Sequence, residues 1–277
     1  MLVKMLDILD DAREKHYAIA APNVCNEVTA RAAIEAAQEN RAPIIIDLIY
    51  KVHPDIPLLA KIIVDMAEKA TVPVALNLDY CLSYEDAMQA LQAGFTSVSL
   101  DRTDKPFREN IKETIELTEI AHALNATVEG QLGRVVAVRD YESIGQYHLT
   151  DPKQVQEYID KTNVDALAIS IGNARGKYEK EPVLDFDRLV EINKLSKVPL
   201  CMHGGSYTGE ENLKKCVEYG VTKINVSTEL YSAGNEEIFK NAGYLARPYD
   251  VFKYYADGYK NKLAQYMKLF DQCGKAG

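Results

Sequence analysis

Two segments near the C-terminal end carry residue types suited to holding a phosphate. Met202-His203-Gly204-Gly205-Ser206 is followed by Lys223-Ile224-Asn225-Val226-Ser227-Thr228-Glu229, each a short apolar run that ends in small, hydrogen-bonding residues. Gly204 and Gly205 let the backbone approach a ligand closely because no Cβ intervenes. Ser206, Ser227 and Thr228 add hydroxyl and amide donors. Tight turns after strands use the same residues, but two such loops on neighbouring strands point to a phosphate. Three further side chains have the chemistry for a reaction beside it. Asp79, at the end of Val74-Ala75-Leu76-Asn77-Leu78, places a carboxylate where it can exchange a proton with a substrate hydroxyl. His203 alone among the five histidines stands at a clear strand end. Arg175, in Ile171-Gly172-Asn173-Ala174-Arg175-Gly176, offers a fork of donors for a phosphate, carboxylate or oxyanion. The plainer alternatives are a helix cap for Asp79, a satisfied rim imidazole for His203 and a surface arginine for Arg175.

Such residues need strands to present them on one rim. Short β-branched runs recur at Tyr17–Ala21, Ile44–Leu48, Val74–Leu78, Ser97–Leu100, Thr127–Gly130, Ala166–Ile171, Pro199–Met202 and Lys223–Val226. Helical periodicity lies between many of them, at Ala30–Glu39, Leu59–Lys69, Tyr84–Ala93, Ile111–Leu124 and Pro152–Lys161. Alternating strands and helices of this number predict an α/β fold, a closed parallel (β/α)8 TIM barrel. It is expected to be a single domain over residues 1–277, with a terminal helix at Pro248–Phe270 packed outside. Chemistry in this architecture sits where strands pass into loops. Those places read Asn23, Asp47, Asp79-Tyr80, Asp101, Glu129 with Gln131, Arg175, His203 and Asn225, polar residues gathered on one rim.

Composition narrows the partners. The 277 residues are 47% apolar, enough for one large core, and carry a formal net charge of -9 with a pI near 5.2. An acidic surface argues against nucleic acid or an anionic membrane, so a bound phosphate must be held by local amides and hydroxyls. No apolar run approaches the ~20 residues of a membrane span. The opening Met1–Leu6 is too short for a secretory signal, and the chain is expected to be cytoplasmic. Cys25, Cys81, Cys201, Cys216 and Cys273 are odd in number, contain no CxxC pair and read as reduced thiols.

Several segments resemble the class II ketose-bisphosphate aldolases, the fructose- and tagatose-bisphosphate aldolase family. They include Ala21-Pro22-Asn23-Val24, Val72–Asp79, Ala93–Val98, Pro106–Asn110, Val128-Glu129-Gly130-Gln131-Leu132-Gly133, Asn163–Ala168, the two cradle segments and Gly274-Lys275-Ala276. The resemblance implies cleavage of a ketose bisphosphate to dihydroxyacetone phosphate and an aldehyde, or the reverse addition. It also implies a zinc held by three histidines. One follows the aspartate, one lies in a Gly-x-x-His-Gly loop, and the third opens His-Gly-Gly. Here those positions are Tyr80, Arg175 and His203. Losing two of three neutral nitrogen ligands removes a tight zinc site. A family carboxylate is replaced by Gln131, and the Lys-Gly of the loop after strand 6 reads Glu179-Lys180. The catalytic aspartate is kept as Asp79. The dihydroxyacetone-phosphate contacts are kept as Gly176, Gly204, Ser206, Asn225, Ser227 and Thr228. The distal-phosphate arginine has no register match, the nearest being Arg247. A homodimer or homotetramer is implied.

Three readings follow. In one, the chain is an aldolase-like lyase without cofactor, in which Arg175 replaces the metal cation, Tyr80 donates a hydrogen bond, and Asp79 and His203 move protons. In another, it is an inactive pseudo-aldolase that senses a sugar phosphate or serves as a partner subunit. In the third, a weak metal site is rescued by His203, Asp101 and Asp79 or Cys81. The bound molecule in the first two is dihydroxyacetone phosphate or a small phosphorylated sugar.

Overall fold

The computed structural model describes residues 1–49, 52–81, 83–140, 149–244 and 247–277, so His148 lies outside it. Eight parallel strands close into a barrel in sequence order: β1 (Ile19–Val24), β2 (Ile44–Ile49), β3 (Val74–Cys81), β4 (Ser97–Leu100), β5 (Thr127–Leu132), β6 (Ala166–Ile169), β7 (Leu200–Met202) and β8 (Val221–Val226). Helices α2 (Glu27–Glu39), α3 (Ile56–Lys69), α4 (Tyr84–Gln92), α5 (Phe107–Ala123), α6 (Pro152–Thr162), α7 (Phe186–Leu195), α8 (Glu210–Glu218) and α9 (Thr228–Asn241) connect or follow these strands. The expected terminal helix is α10 (Asp250–Leu269). Among the described residues no helix is long and apolar enough to cross a membrane.

Side chains alternate in and out along each strand. The outward set, such as Ile44, Ile46, Leu48, Leu76 and Leu78, is fully buried against the helices; each such side chain contributes about 1.5–3 kcal/mol. Inward positions form layers. At the bottom, Ile19, Ala21, Ile45, Ala75, Ala166, Ala168 and Cys201 pack on α1 (Met5–Glu14). This helix, which carries no strong signal in the sequence, seals the barrel floor through Met5, Ile8, Leu9 and Ala12. Two residues further along the strands the interior becomes charged, with Asp47, Asn77, Glu129 and Lys223 all essentially inaccessible. Two residues beyond that stand Asp79 and Asn225, at the mouth, where Asn23 reaches Asp79 from β1.

Several strand limits differ from the sequence expectation, those of β1 and β6 among them. The first strand runs Ile19–Val24, not Tyr17–Ala21. Tyr17 belongs to the floor, with its hydroxyl donating to Asp11 at 2.8 Å, and Pro22 stays in register with Val226. Asn23 is therefore the last inward residue of β1, in register with Asp47. β6 ends at Ile169 instead of Ile171, because the Ser170 amide donates to Thr150 Oγ1 and the Ile171 amide to Asn173 Oδ1.

The terminal helix does more than cover the barrel. Tyr259 of α10 donates its hydroxyl to the Asn23 carbonyl at 2.6 Å, and Tyr231 of α9 donates to the same oxygen at 3.0 Å. The rim end of β1 is thereby tied to the last quarter of the chain.

Candidate active site at the barrel mouth

A cavity of about 190 Å³ opens at the C-terminal end of the strands, and Asp79, Tyr80, Arg175, His203, Ser206 and Asn225 are among its walls. Asn23, Gly176, Gly204, Ser227 and Thr228 also border it. The expected site residues are thus brought together; Gly205 stands just behind the wall, its amide donating to the Asn225 carbonyl at 2.9 Å.

His203 is the hub. Its Nε2 lies 2.8 Å from Glu129 Oε1, and Nδ1 faces the cavity, 3.2 Å from the Tyr80 hydroxyl, 3.2 Å from Asn225 Nδ2 and 3.8 Å from Asp79 Oδ1. Glu129 is an acceptor only, so Nε2 carries a hydrogen and donates it. In the neutral ring Nδ1 is then the acceptor for Tyr80 and Asn225. Burial alone would lower the imidazole pKa, but the hydrogen bond to Glu129 and the negative charge of Asp79 outweigh it and raise it.

Beneath the histidine runs a buried ion network absent from the sequence reading. Lys223 Nζ is 2.9 Å from Glu129 Oε2 and 3.3 Å from Asp47 Oδ2. Asn77 donates to Asp47 at 2.8 Å and to Ser99 at 2.9 Å. Burial opposes ionisation of Glu129, yet the Lys223 charge and the His203 hydrogen bond hold its carboxyl well below the usual range. For Asp47 burial prevails, the charges of Asp79 and Glu129 add to it, and the carboxyl is pushed up to about 7. Burial disfavours the Lys223 ammonium, but Asp47 and Glu129 carry its pKa well above the ordinary lysine value. Glu129 and Asp47 were legible as polar residues at strand ends; they lie instead in mid-strand, one layer down. Lys223 was read only as part of a β-run, since no periodicity distinguishes an inward lysine.

Asp79 is almost wholly buried. Its Oδ2 accepts from Asn23 at 3.0 Å and from Asn225 at 3.4 Å, and its Oδ1 has no hydrogen-bond partner among the described residues. Tyr80 follows in the left-handed region, with φ 58°, at the irregularity where β3 and β4 shift register. A tyrosine held there costs about 1–3 kcal/mol, a strain that concentrates at ligand sites. Burial raises its hydroxyl pKa well above 10. Arg175 stacks on this ring, with Cζ 4.6 Å from the centroid. The expectation of a guanidinium in a dry site is corrected: Arg175 is exposed over much of its length, because it stands on the outer lip of the loop after β6. Among the described residues it has no carboxylate partner.

The cradle is shaped by backbone. Asn173 is buried, accepts from the Ile171 amide at 2.8 Å and donates to the His203 carbonyl at 2.8 Å. Gly204 has φ +79°, and a Cβ there would collide with the Ala174 carbonyl oxygen, so only glycine fits between the two loops. Ser206 Oγ accepts from the amides of Ser227 and Glu229 at 3.0 and 3.3 Å. That engages the Ser227 amide, a donor the sequence offered to phosphate, and leaves Thr228 at the start of α9 bordering the cavity, an arrangement suited to an anion. Glu229 locks the cradle from behind, accepting from the Tyr207 amide at 2.6 Å and from the Tyr266 hydroxyl, and pairing with Lys262 at 2.8 Å.

Whole-chain similarity agrees with this geometry. The profile of the class-II fructose-bisphosphate aldolases matches residues 3–275. The chain belongs to that family. It is 33% identical to the fructose-bisphosphate aldolase of Thermus caldophilus, with both chains covered in full. It is 34% identical to a probable fructose-bisphosphate aldolase of Bacillus subtilis, over 91% of this chain and 90% of the relative. The crystal structure of the YdjI aldolase of Escherichia coli K12 superposes with a TM-score of 0.91 at 33% identity, covering all of both chains.

The zinc that resemblance to this family implies does not fit the residues here. Tyr80 and Arg175 occupy two of the three expected ligand positions, and Tyr80 already presents its hydroxyl to His203. A dication about 5 Å from the guanidinium would meet roughly 7 kcal/mol of repulsion at an effective dielectric of about 20. The alternative ligand set is dispersed as well. Asp101 Oδ1 accepts from the Thr103 amide and hydroxyl at 2.9 and 2.6 Å, and Cys81 Sγ donates to the Ser83 carbonyl at 3.0 Å. Arg247 also stands apart, exposed and paired with Asp250 at 2.8 Å.

Proposed function

We propose that the protein is a phosphosugar lyase, one barrel domain that binds a dihydroxyacetone-phosphate-type half and breaks the adjoining carbon–carbon bond, with Arg175 in place of the zinc cation. The observation that carries this is a guanidinium, without a carboxylate partner among the described residues, stacked on Tyr80 at the wall of the same cavity that Asp79 borders with an oxygen free of hydrogen bonds among those residues. The phosphate is held by Gly176, Gly204, Ser206, Ser227 and Thr228 at the start of α9, with Asn225 beside it. Asp79 takes the proton of the C4 hydroxyl. The C3–C4 electron pair passes into the C2 carbonyl, giving an enediolate whose oxygen accepts from Arg175 and the Tyr80 hydroxyl, and the aldehyde leaves. The enediolate then takes a proton at C3 from the Asp79–His203 pair, which returns to its starting state. Arginine presents donors of fixed charge to a developing oxyanion, and one such donor is worth about 100- to 1000-fold in rate once bound substrate excludes water from it. The aspartate and imidazole stand 3.8 Å apart, close enough to exchange a proton through the substrate hydroxyl or one water.

The test is to incubate purified protein with fructose- and tagatose-type bisphosphates, with and without chelator, and to measure dihydroxyacetone phosphate. Release that persists in chelator is expected. Chelator-sensitive release, or stoichiometric zinc by elemental analysis, overturns the role given to Arg175. Binding of dihydroxyacetone phosphate without cleavage of any bisphosphate favours the sensor reading.

A further inference from the structure

A second cavity, of about 670 Å³, adjoins the first; Ile49, Tyr80 and Arg175 border both. We propose that this outer cavity receives the aldehyde half of the substrate and that Arg134 selects halves ending in an anion, a phosphate or a carboxylate. This rests on the reading of the inner cavity as the seat of the phosphorylated ketone half. A substrate anchored there by its phosphate, with its carbonyl at Arg175 and Tyr80, extends past those two residues into the outer cavity.

The charges of the outer cavity are unequally engaged. Of its three carboxylates, Glu113 is paired with Arg102, and Asp101 takes the amide and hydroxyl of Thr103; Asp104 has no partner among the described residues. Arg134, Arg175 and Lys105 also border the cavity, and none of them has a carboxylate within ion-pair distance among the described residues. Guanidinium carries only donors, and its fork matches the paired oxygens of a carboxylate or phosphate.

Arg134 is held by a built support. Gly133 turns the chain at φ +85°, where a Cβ would strike Thr150. Val135 and Val136 then insert into the core. Ala137 forms a parallel bridge to Arg175, whose amide donates to the Val136 carbonyl at 2.7 Å and whose carbonyl accepts from the Val138 amide at 2.9 Å. The loop after β5 and the loop after β6 are thus one hydrogen-bonded platform carrying both arginines. Arg247, the arginine nearest to the family's distal-phosphate position in sequence, borders neither cavity.

The experiment is a binding titration, so it does not depend on turnover. The ligands are hexitol 1-phosphate, hexitol 1,6-bisphosphate and 6-phosphogluconate, which carry no second anion, a phosphate and a carboxylate respectively. The wild-type protein is expected to bind at least one two-anion ligand about tenfold or more tightly than the monophosphate, the scale of one charge-assisted bidentate pair. Which one gains identifies the terminal group. In R134Q the preference should fall to within about threefold, the loss being confined to ligands with the second anion. R134K should recover part of it for phosphate, which a point charge still attracts. Equal affinity of the wild type for all three ligands overturns the proposal, as does an equal loss of all three in R134Q, which marks Arg134 as merely structural. A protein that binds all three in this order but cleaves no bisphosphate overturns the lyase reading alone; one that binds none overturns both.

Discussion

Replacing Lys223 by methionine, which is similar in length, tests whether the charged layer under the site is a connected unit. The ammonium lies 2.9 Å from Glu129 and 3.3 Å from Asp47, with all three side chains at most 1% exposed. At an effective dielectric of about 20 those contacts are worth about 6 and 5 kcal/mol of attraction. The desolvation of three charges offsets most of this. Deleting one partner nonetheless strands the others, and K223M should lose about 3–5 kcal/mol of stability near pH 7. The pH dependence is more discriminating. The Asp47 carboxyl is raised to about 7 in the wild type, with Lys223 opposing the rise. A raised acid contributes stability that is complete below its unfolded pKa of 3.8 and is lost as pH climbs through the native value of about 7, so well above pH 7 this group makes the wild-type profile nearly flat. Without Lys223 the carboxyl rises further, and native K223M keeps a proton that its unfolded chain has released. Its stability should then fall by about 1.4 kcal/mol per pH unit between pH 7 and 8.5 relative to the wild type. His203 moves the same way, since Lys223 also lowers its pKa. Equilibrium urea unfolding at several pH values measures both quantities. A penalty under about 1 kcal/mol, or one that stays constant or shrinks as pH rises, would refute the coupling argued here.

Other substitutions probe the mouth. R175A should reduce bisphosphate cleavage by about 100- to 1000-fold, with R175K intermediate, as read by release of dihydroxyacetone phosphate; a loss of less than about tenfold would contradict the oxyanion role. Asn173→Ala leaves the Ile171 amide and the His203 carbonyl without their side-chain partner. It should lower stability by about 2 kcal/mol or more in urea. Gly204→Ala forces a Cβ towards the Ala174 carbonyl at a positive φ. Dihydroxyacetone-phosphate affinity in a direct titration should drop at least about tenfold, through a displaced loop worth 1–3 kcal/mol of strain.

The barrel was legible because its information is periodic: outward Ile46, Leu48 and Leu76 alternate with inward residues, and helices separate the runs. The rim was legible for a related reason, since polar residues that terminate apolar runs fall at one end of a parallel barrel by construction. What remained hidden depends on contacts between distant strands. Nothing local says that Lys223 on β8 meets Glu129 on β5 and Asp47 on β2, because the three lie in one layer only after closure. Helix α1 was missed because its apolar face is short and its target, the barrel floor, does not exist until the strands assemble. Arg134 was passed over for the opposite reason: an arginine in a loop is ordinary, and it gains meaning only from the bridge that sets it beside Arg175.

The same distinction bears on how charge is arranged in this site. The metal positions of the resemblance read Tyr80 and Arg175, and the two residues do not act independently, since one stacks on the other. A dication would need acceptor-rich ligands turned inward. Here the inward carboxylate oxygen of Asp79 is left open, and the cation stands across the cavity on the loop platform. On the proposed lyase reading, the negative base and the positive electrophile are carried on separate elements, β3 and the loop after β6, with His203 and Tyr80 between them. A substrate carbonyl placed in that gap would be polarised by a fixed charge whose position is set by backbone hydrogen bonds rather than by coordination. Such a site would be insensitive to chelation and dependent on the integrity of the Val136–Val138 platform, so both properties must stand or fall together.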